Sequence, residues 1–470
     1  MSLPRTIAEV LRDHVTLEVE CIDRMYLNAY VPQLQYESGV AAFFRQHRRH
    51  PFASSALMEP ISKGFVAAIH AFVQEQGVPL IPFEKGQRKD DVMAAHLARF
   101  TAPEGLLFVG RAQEKARVVR TEKRHNPTTG QAYPWLVRST AMVNHFYFYG
   151  VDGDFGPFFL KFGTYFPYTA KLCLNGHEYV KRQLAQRGIA FEALDNGILS
   201  CADPRRLQTL CDGLSAEKID AFFRKWLHRL PHPFTRRDRQ AGYCYELSIL
   251  QAEFSLTQVL DRPLSGRLLF EDLIRENLDL GRPDRVQLIF DRRVTRQTPG
   301  RFRTRVLTEG VVPSLHVTYK HSNLKQYLKG LRPTAEGRAL RTELTVNDTR
   351  DFEIGRGLTN LAALRQVGFQ ATRRLLDVQR LSLDGTIGDA TVERVHRPVT
   401  VARQRAPALR FLDPRVLALF MGLVVFRLLP QGFTARELRQ HVAPLLGKAP
   451  SELSLGQLTY DLCVACGCTG

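Results

Sequence analysis

Two apolar runs dense in aromatic residues constrain this chain most: Met142-Val-Asn-His-Phe-Tyr-Phe-Tyr149 and Phe158-Phe-Leu-Lys-Phe-Gly-Thr-Tyr165. Aromatic and β-branched side chains of this density fit a pleated surface and predict strands. Asp152-Gly153-Asp154 and Gly156-Pro157 lie between them and predict a hairpin connection of several residues. A third apolar stretch at Lys171–Leu174 leads into Asn175-Gly176 and a helix from His177 to Gln186. Hairpin, strand and helix together predict an α+β fold with an aromatic-rich mixed sheet as its core and helical flanks.

At 470 residues the chain exceeds what one hydrophobic core ordinarily organises, so several domains are expected. Residues 1–100 read as mainly helical, with helical spacing at Val40–His47, Met58–Gln76 and Asp91–Phe100. Val78–Phe83 reads as a short strand before a charged loop that ends at Asp91. Residues 101–200 form the α/β core and begin with a strand at Gly105–Gly110. Residues 201–280 read as helical again, with start signals at Asp203-Pro204 and Ser215. Residues 281–384 form a basic, strand-rich region. Its strands are expected at Val286–Phe290, Phe302–Thr308, Ser314–Tyr319 and Ala339–Val346, with helices at Ser322–Lys329 and 358–382. A polar linker spans 385–408, and 409–470 form a C-terminal helical module.

Charge narrows the partner. Lys plus Arg number 65 against 47 Asp plus Glu, for a net +18. An uneven cationic excess of this kind suits a phosphate-rich partner, DNA before RNA. The eight cysteines are scattered apart from a tail cluster, and Met1-Ser-Leu-Pro-Arg-Thr lacks the apolar segment of a secretory signal. Free thiols and a cytoplasmic location are expected. The apolar helix at Val416–Leu429 is too short for a membrane span of about 20 residues, so no membrane partner is expected.

The best nucleic-acid surface in the body is the Arg-rich strand region: Arg292, Arg293, Arg296, Arg301, Arg303 and Arg305. Arginine forks onto phosphate with two donors. Lys320, Lys325, Tyr327, Lys329 and Arg338-x-x-Arg341-Thr-Glu343 extend this surface. A second reading is a metal-dependent nuclease. Asp152 and Asp154, with Lys161 on the following strand and Glu114 nearby, would hold Mg²⁺ and orient water at a phosphodiester. Asp-Gly-Asp is equally ordinary turn chemistry. A third reading is a basic scaffold for an acidic protein. No P-loop, Gly-x-Gly-x-x-Gly or Gly-x-Ser-x-Gly motif is present, which disfavours ATP-driven, dinucleotide and α/β-hydrolase chemistry. No His-Glu-x-x-His occurs, and His177 with Glu178 occupy neighbouring helix positions that do not face each other.

Three resemblances follow from these motifs. Asp413-Pro414, the apolar run after it, the break at Pro430-Gln431-Gly432, the capping box Thr434-Ala-Arg-Glu437 and the segment Ser454–Leu462 resemble the front half of a winged helix-turn-helix. Pro444 inside the second helix departs from that pattern. The resemblance implies DNA contacts from Arg436 and Arg439 and base reading by Ser454, Gln457 and Tyr460. The wing would follow, but the chain continues as Cys463-Val-Ala-Cys-Gly-Cys-Thr-Gly470. One set of codons for that tail, read two bases later, gives Arg-Arg-Leu-Arg-Leu-His-Gly, so a frameshifted ending is entertained. Tyr319-Lys320 with Leu340-Arg-Thr-Glu343 faintly resembles phage and plasmid replication initiators. The His-x-His strand that those initiators use is missing. The block from Phe146 to Glu178 resembles a bacterial protein family without an assigned activity, over most of residues 1–380. The chain is therefore expected to bind nucleic acid, with a mobile-element or phage-related origin suggested by its basic multidomain layout.

Overall fold

The computed structural model describes residues 14–295, 297–299, 302–307, 313–330, 337–383, 399–401, 404–406, 414–426, 433–456, 458–459 and 462. The fold is α+β. Strands β1 (Val15–Tyr30), β2 (Leu80–Pro82), β3 (Gly105–His125), β4 (Ala132–Asp152), β5 (Gly156–Gly163) and β6 (Ala170–Asn175) come first. They are followed by β7 (Phe191–Leu194), β8 (Gly197–Cys201), β9 (Glu246–Leu260), β10 (Thr304–Leu307), β11 (Ser314–Tyr319), β12 (Ser322–Lys329) and β13 (Ala339–Val346). Eleven of them form one sheet in the order β10-β11-β12-β13-β9-β1-β6-β5-β4-β3-β2, with β7 and β8 paired separately. Every pairing in the large sheet is antiparallel except β2 with β3. Strands drawn from residues 15 to 346 thus share one sheet.

The register divides this sheet into two chemically different faces. Phe148, Leu160, Leu172 and Leu27 stand opposite one another across β4, β5, β6 and β1. Phe254 opposes Leu344, which opposes Leu324. Several helices cover this apolar face, among them two that pack through aromatic pairs. Residues Ser55–Gln76 pack Phe65 on Phe162 and Phe72 on Phe148, and Leu361–Leu383 packs Phe369 on Phe254. Ser55–Gln76 is also long and apolar enough to cross a membrane by length and composition, but Phe65, Ile69 and Val73 are buried in the core.

The other face is polar over the central strands, while at its β3–β4 end Phe83, Met93 and Leu97 pack on Phe108, Tyr149 and Phe159. One of its rows is Tyr149, Phe159, Cys173, Tyr26 and Gln251 across five neighbouring strands.

Four secondary-structure expectations are corrected. Residues 1–100 contain the central strand β1, and 201–280 contain the equally central β9. In β1 the apolar positions Leu17, Val19 and Cys21 change phase to Ile22, Met25 and Leu27. A bulge sits between Ile22 and Met25 and hides the alternation. Ser322–Lys329 is strand β12 rather than helix. Leu324 and Leu328, four apart, fit either period, and pairing with β11 and β13 on both edges decides for strand. Val286–Phe290 belongs to the helix Pro283–Phe290, which starts with Pro at its first turn and buries Val286, Leu288, Ile289 and Phe290.

Toward the C-terminus, helices Pro414–Phe426 and Ala435–Leu445 pack Ala418, Leu419, Leu438 and Val442 with Leu453 and Leu458. The Thr434–Glu437 capping box forms in both directions. Pro444 lies in the last turn, so the helix ends one residue later at Leu445. The tail 463–470 lies outside the described residues.

Candidate functional site

The polar face of the sheet is built around a buried arginine. Arg341 on β13 has no solvent exposure. It donates to Asp23 on β1 at 2.5 Å, to Glu343 at 2.5 Å and to the Asn196 carbonyl. Its Nη2 also lies 3.1 Å from His177 Nε2. Glu343 accepts a further bond from the Tyr327 hydroxyl at 2.7 Å, and Asp23 accepts from Asn196 Nδ2 at 2.6 Å. Burial alone would push the Asp23 carboxyl up. Arg341 and His177 outweigh it and hold Asp23 ionised far below the usual carboxylate range. Asn175 places His177 by capping its helix, accepting from the backbone N–H groups of His177 and Glu178.

The β1 bulge sets two residues of β1, Asp23 and Arg24, against the single residue Glu253 of β9, between the pairs of Ile22 with Phe254 and Met25 with Ala252. Bulges re-aim side chains in this way beside functional sites. Glu253 on β9 is the neighbouring acid. Burial raises its carboxyl to about 7. Arg24 opposes that rise, and the charges of Asp23 and Glu343 add to it.

Outward from this centre the face keeps solvent contact. Tyr26, Lys171, Cys173, Phe159, Gln251, Thr345, Asn323, Lys325 and Tyr327 are all half-buried. Lys171 lies 5.3 Å from the centre of the Tyr26 ring, and Lys325 lies 4.4 Å from that of Tyr327. Neither lysine, nor the exposed Arg24, has an acidic hydrogen-bond partner among the described residues. Arg305, His316, Lys325 and Glu343 face one another across β10 to β13. Burial and the nearby charges of Lys325 and Arg305 hold His316 below its ordinary value, a sign of positive potential at that end.

The nuclease quartet is not assembled. Asp152 is buried, and its carboxylate is saturated. Oδ1 accepts from the backbone of Asp154 at 2.9 Å and Phe155 at 3.0 Å, and Oδ2 accepts from Lys225 at 2.8 Å and Trp226 at 2.7 Å. No lone pair is left for Mg²⁺, so Asp152 is a structural anchor of its turn. Asp154 is exposed and accepts from Gln186 at 3.0 Å. Glu114 and Lys161 do meet, but in a separate cluster. Glu114 accepts from Lys161, from Lys89 at 2.6 Å and from the Tyr147 hydroxyl. Burial would raise Glu114, and these three donors overcome it and hold it at about 2. Among the described residues no group of three His, Cys, Asp or Glu side chains is placed to hold a metal ion.

The expected basic residues disperse. Arg292 is half-buried and donates to the carbonyls of Asp291 and Phe352, which leaves it little for phosphate. Arg293 and Arg305 are exposed and Arg303 is half-buried. Lys320 sits in the β11–β12 turn over the Tyr319 ring. Arg436 and Ser454 are exposed and Arg439 half-buried; Arg296, Arg301, Gln457 and Tyr460 lie outside the described residues. Lys325, Tyr327, Arg341 and Glu343 do share one face, as the sequence suggested, because they alternate on paired strands. Sequence reasoning missed Asp23, Tyr26, Lys171 and Glu253. Their only signal was polar residues alternating with apolar ones in β1, β6 and β9.

No protein-family model, no curated protein and no solved structure matches this chain.

Proposed function

We propose that this chain binds nucleic acid, DNA in the first instance, by laying a single strand across the polar face of its sheet. The observation that carries the reading is the pairing of half-buried rings with cations that have no acidic partner among the described residues: Tyr26 with Lys171, and Tyr327 with Lys325. An aromatic ring offers any base a stacking surface, and the adjacent ammonium group takes the phosphate beside it. Tyr26 and Tyr327 lie three strand spacings apart across the sheet and six β9 residues apart along it, about 25 Å on the diagonal, room for several nucleotides. Between the rings lie Gln251, Glu253, Asn323 and Thr345, whose side chains suit base edges; a carboxylate accepts from the cytosine amino group. Glu343 is neutralised by Arg341 and Tyr327, which limits its repulsion of phosphate. The net +18 supplies long-range attraction.

In this reading the helices of 414–462 contribute a second contact through Arg436, Arg439 and Ser454, in keeping with their winged-helix-like order. The test is fluorescence anisotropy with labelled single-stranded DNA, duplex DNA and RNA over a salt series. Tight, salt-dependent binding of the single strands supports the proposal. Absence of binding at low salt refutes it.

A further inference from the structure

Beyond the end of β5, strands β3 and β4 continue as a two-stranded arm paired from Glu114 with Val143 to His125 with Ala132. The base of its tip borders an apolar groove of about 670 Å³, lined by Ala41, Phe52, Pro134, Trp135, Leu136 and Arg45 among others. Phe52 is 49% exposed and Trp135 46% exposed, unusual for rings of this size. Tyr133 meets Trp135 edge to face, and the Arg124 guanidinium lies over the Trp135 ring at 4.8 Å.

The rim chemistry states what would fill this groove. Arg45, which lines the groove, and Arg124 are exposed and have no acidic partner among the described residues. The two acids nearby are already engaged, Glu37 with Arg138 at 3.1 Å and Glu122 with Arg120 at 3.3 Å. Arg111, Lys115 and Arg117 are exposed but stand on the ribbon face opposite Trp135, which pairs with Glu122, and Val119 and Thr121 separate them from the groove. The cation on the Trp135 face is the exposed Arg124, so the slot joins aromatic rings to the guanidinium groups of Arg124 and Arg45. An apolar peptide would gain nothing from these two cations, whereas a nucleotide uses both ring and cation.

We infer that the groove is a second nucleic-acid subsite, in which an unstacked base packs on Trp135 while its flanking phosphates lie on Arg45 and Arg124. The inference rests on the nucleic-acid reading above, and its test separates the two. Trp226 is 3% exposed. Trp135 therefore reports on the groove when oligothymidylate is titrated into the full chain and intrinsic fluorescence is followed together with anisotropy of the labelled oligonucleotide. The expected result is quenching of Trp135, affinity about tenfold weaker in Trp135→Ala, and recovery in Trp135→Phe, since a base–aromatic stack lost is worth a change of that order. Thermal unfolding of each variant checks that the arm still folds. Binding by anisotropy without quenching, and with no loss in Trp135→Ala, overturns the subsite while leaving the sheet-face reading intact; the groove would then belong to an apolar peptide segment. No binding of the oligonucleotide overturns both.

Discussion

Arg341 and Asp23 meet in the interior of the sheet, Nη2 to Oδ2 at 2.5 Å, from strands that do not pair with each other. β9 lies between them, so the ion pair ties β13 to β1 across it. Glu343 and His177 complete the arginine's surroundings. Removing one partner of a buried pair leaves an uncompensated charge, which costs about 3–5 kcal/mol. Arg341→Leu is expected to lose stability of that order in urea unfolding. Asp23→Asn,Arg341→Leu together are expected to lose less than the sum. Additive losses would mean that the pair carries no coupling.

Asp152 is assigned a structural role, and the consequence is measurable. Asp152→Ala leaves the Trp226 indole and two backbone donors without an acceptor and Lys225 with Glu104 alone. It is expected to lower stability by about 2 kcal/mol or more and to shift Trp226 emission. Asp154→Ala should be nearly neutral. If Asp152→Ala kept full stability and abolished a Mg²⁺-dependent cleavage of DNA, the structural assignment would fail.

Two pH windows follow from carboxyl groups displaced in opposite directions. Burial raises Glu253 to about 7. The native state therefore holds a proton that the unfolded chain gives up, and this group makes stability fall as pH rises from about 4.5 to 7. Glu114 is held at about 2 against its burial. Its contribution is present above the unfolded value and lost as pH falls from about 4.5 toward 2. Unfolding free energies measured across both windows for Glu253→Gln should be flatter in the upper window and unchanged in the lower. Equal effects in both would contradict the assignment.

Stacking and phosphate contact on the sheet face separate by their salt response. Lys171→Ala and Lys325→Ala should each reduce the logarithmic salt slope for single-stranded DNA by about 0.7, the value for one phosphate contact on a single strand. Tyr26→Ala should weaken binding with the slope preserved, since a neutral ring releases no counterion. A reduced slope in Tyr26→Ala would point to rearrangement of the face.

Much of the fold was legible where periodicity was clean. β5, β6 and the helix after Asn175 follow directly from their residues, as does the Thr434–Glu437 cap. Legibility failed where two periods overlap or a phase slips. Leu324 and Leu328 satisfy helix and strand equally, and the bulge at Asp23 and Arg24 breaks the alternation of β1. The candidate site was legible in halves. Lys325, Tyr327, Arg341 and Glu343 lie close in sequence and were grouped together. Asp23, Glu253 and Lys171 come from strands far apart in the chain, and only the sheet order brings them to the same face. Asp152 and Asp154 misled because a carboxylate that anchors a turn and one that holds a metal share the same local sequence.

The most direct test of the central claim is the affinity of single-stranded DNA for the full chain and for the Tyr26→Ala,Tyr327→Ala double variant, by anisotropy at constant salt. A base stack is worth about 1–3 kcal/mol, so losing both rings should weaken binding by about tenfold to several thousandfold while the protein stays folded. Unchanged affinity in a folded double variant would contradict the sheet-face account.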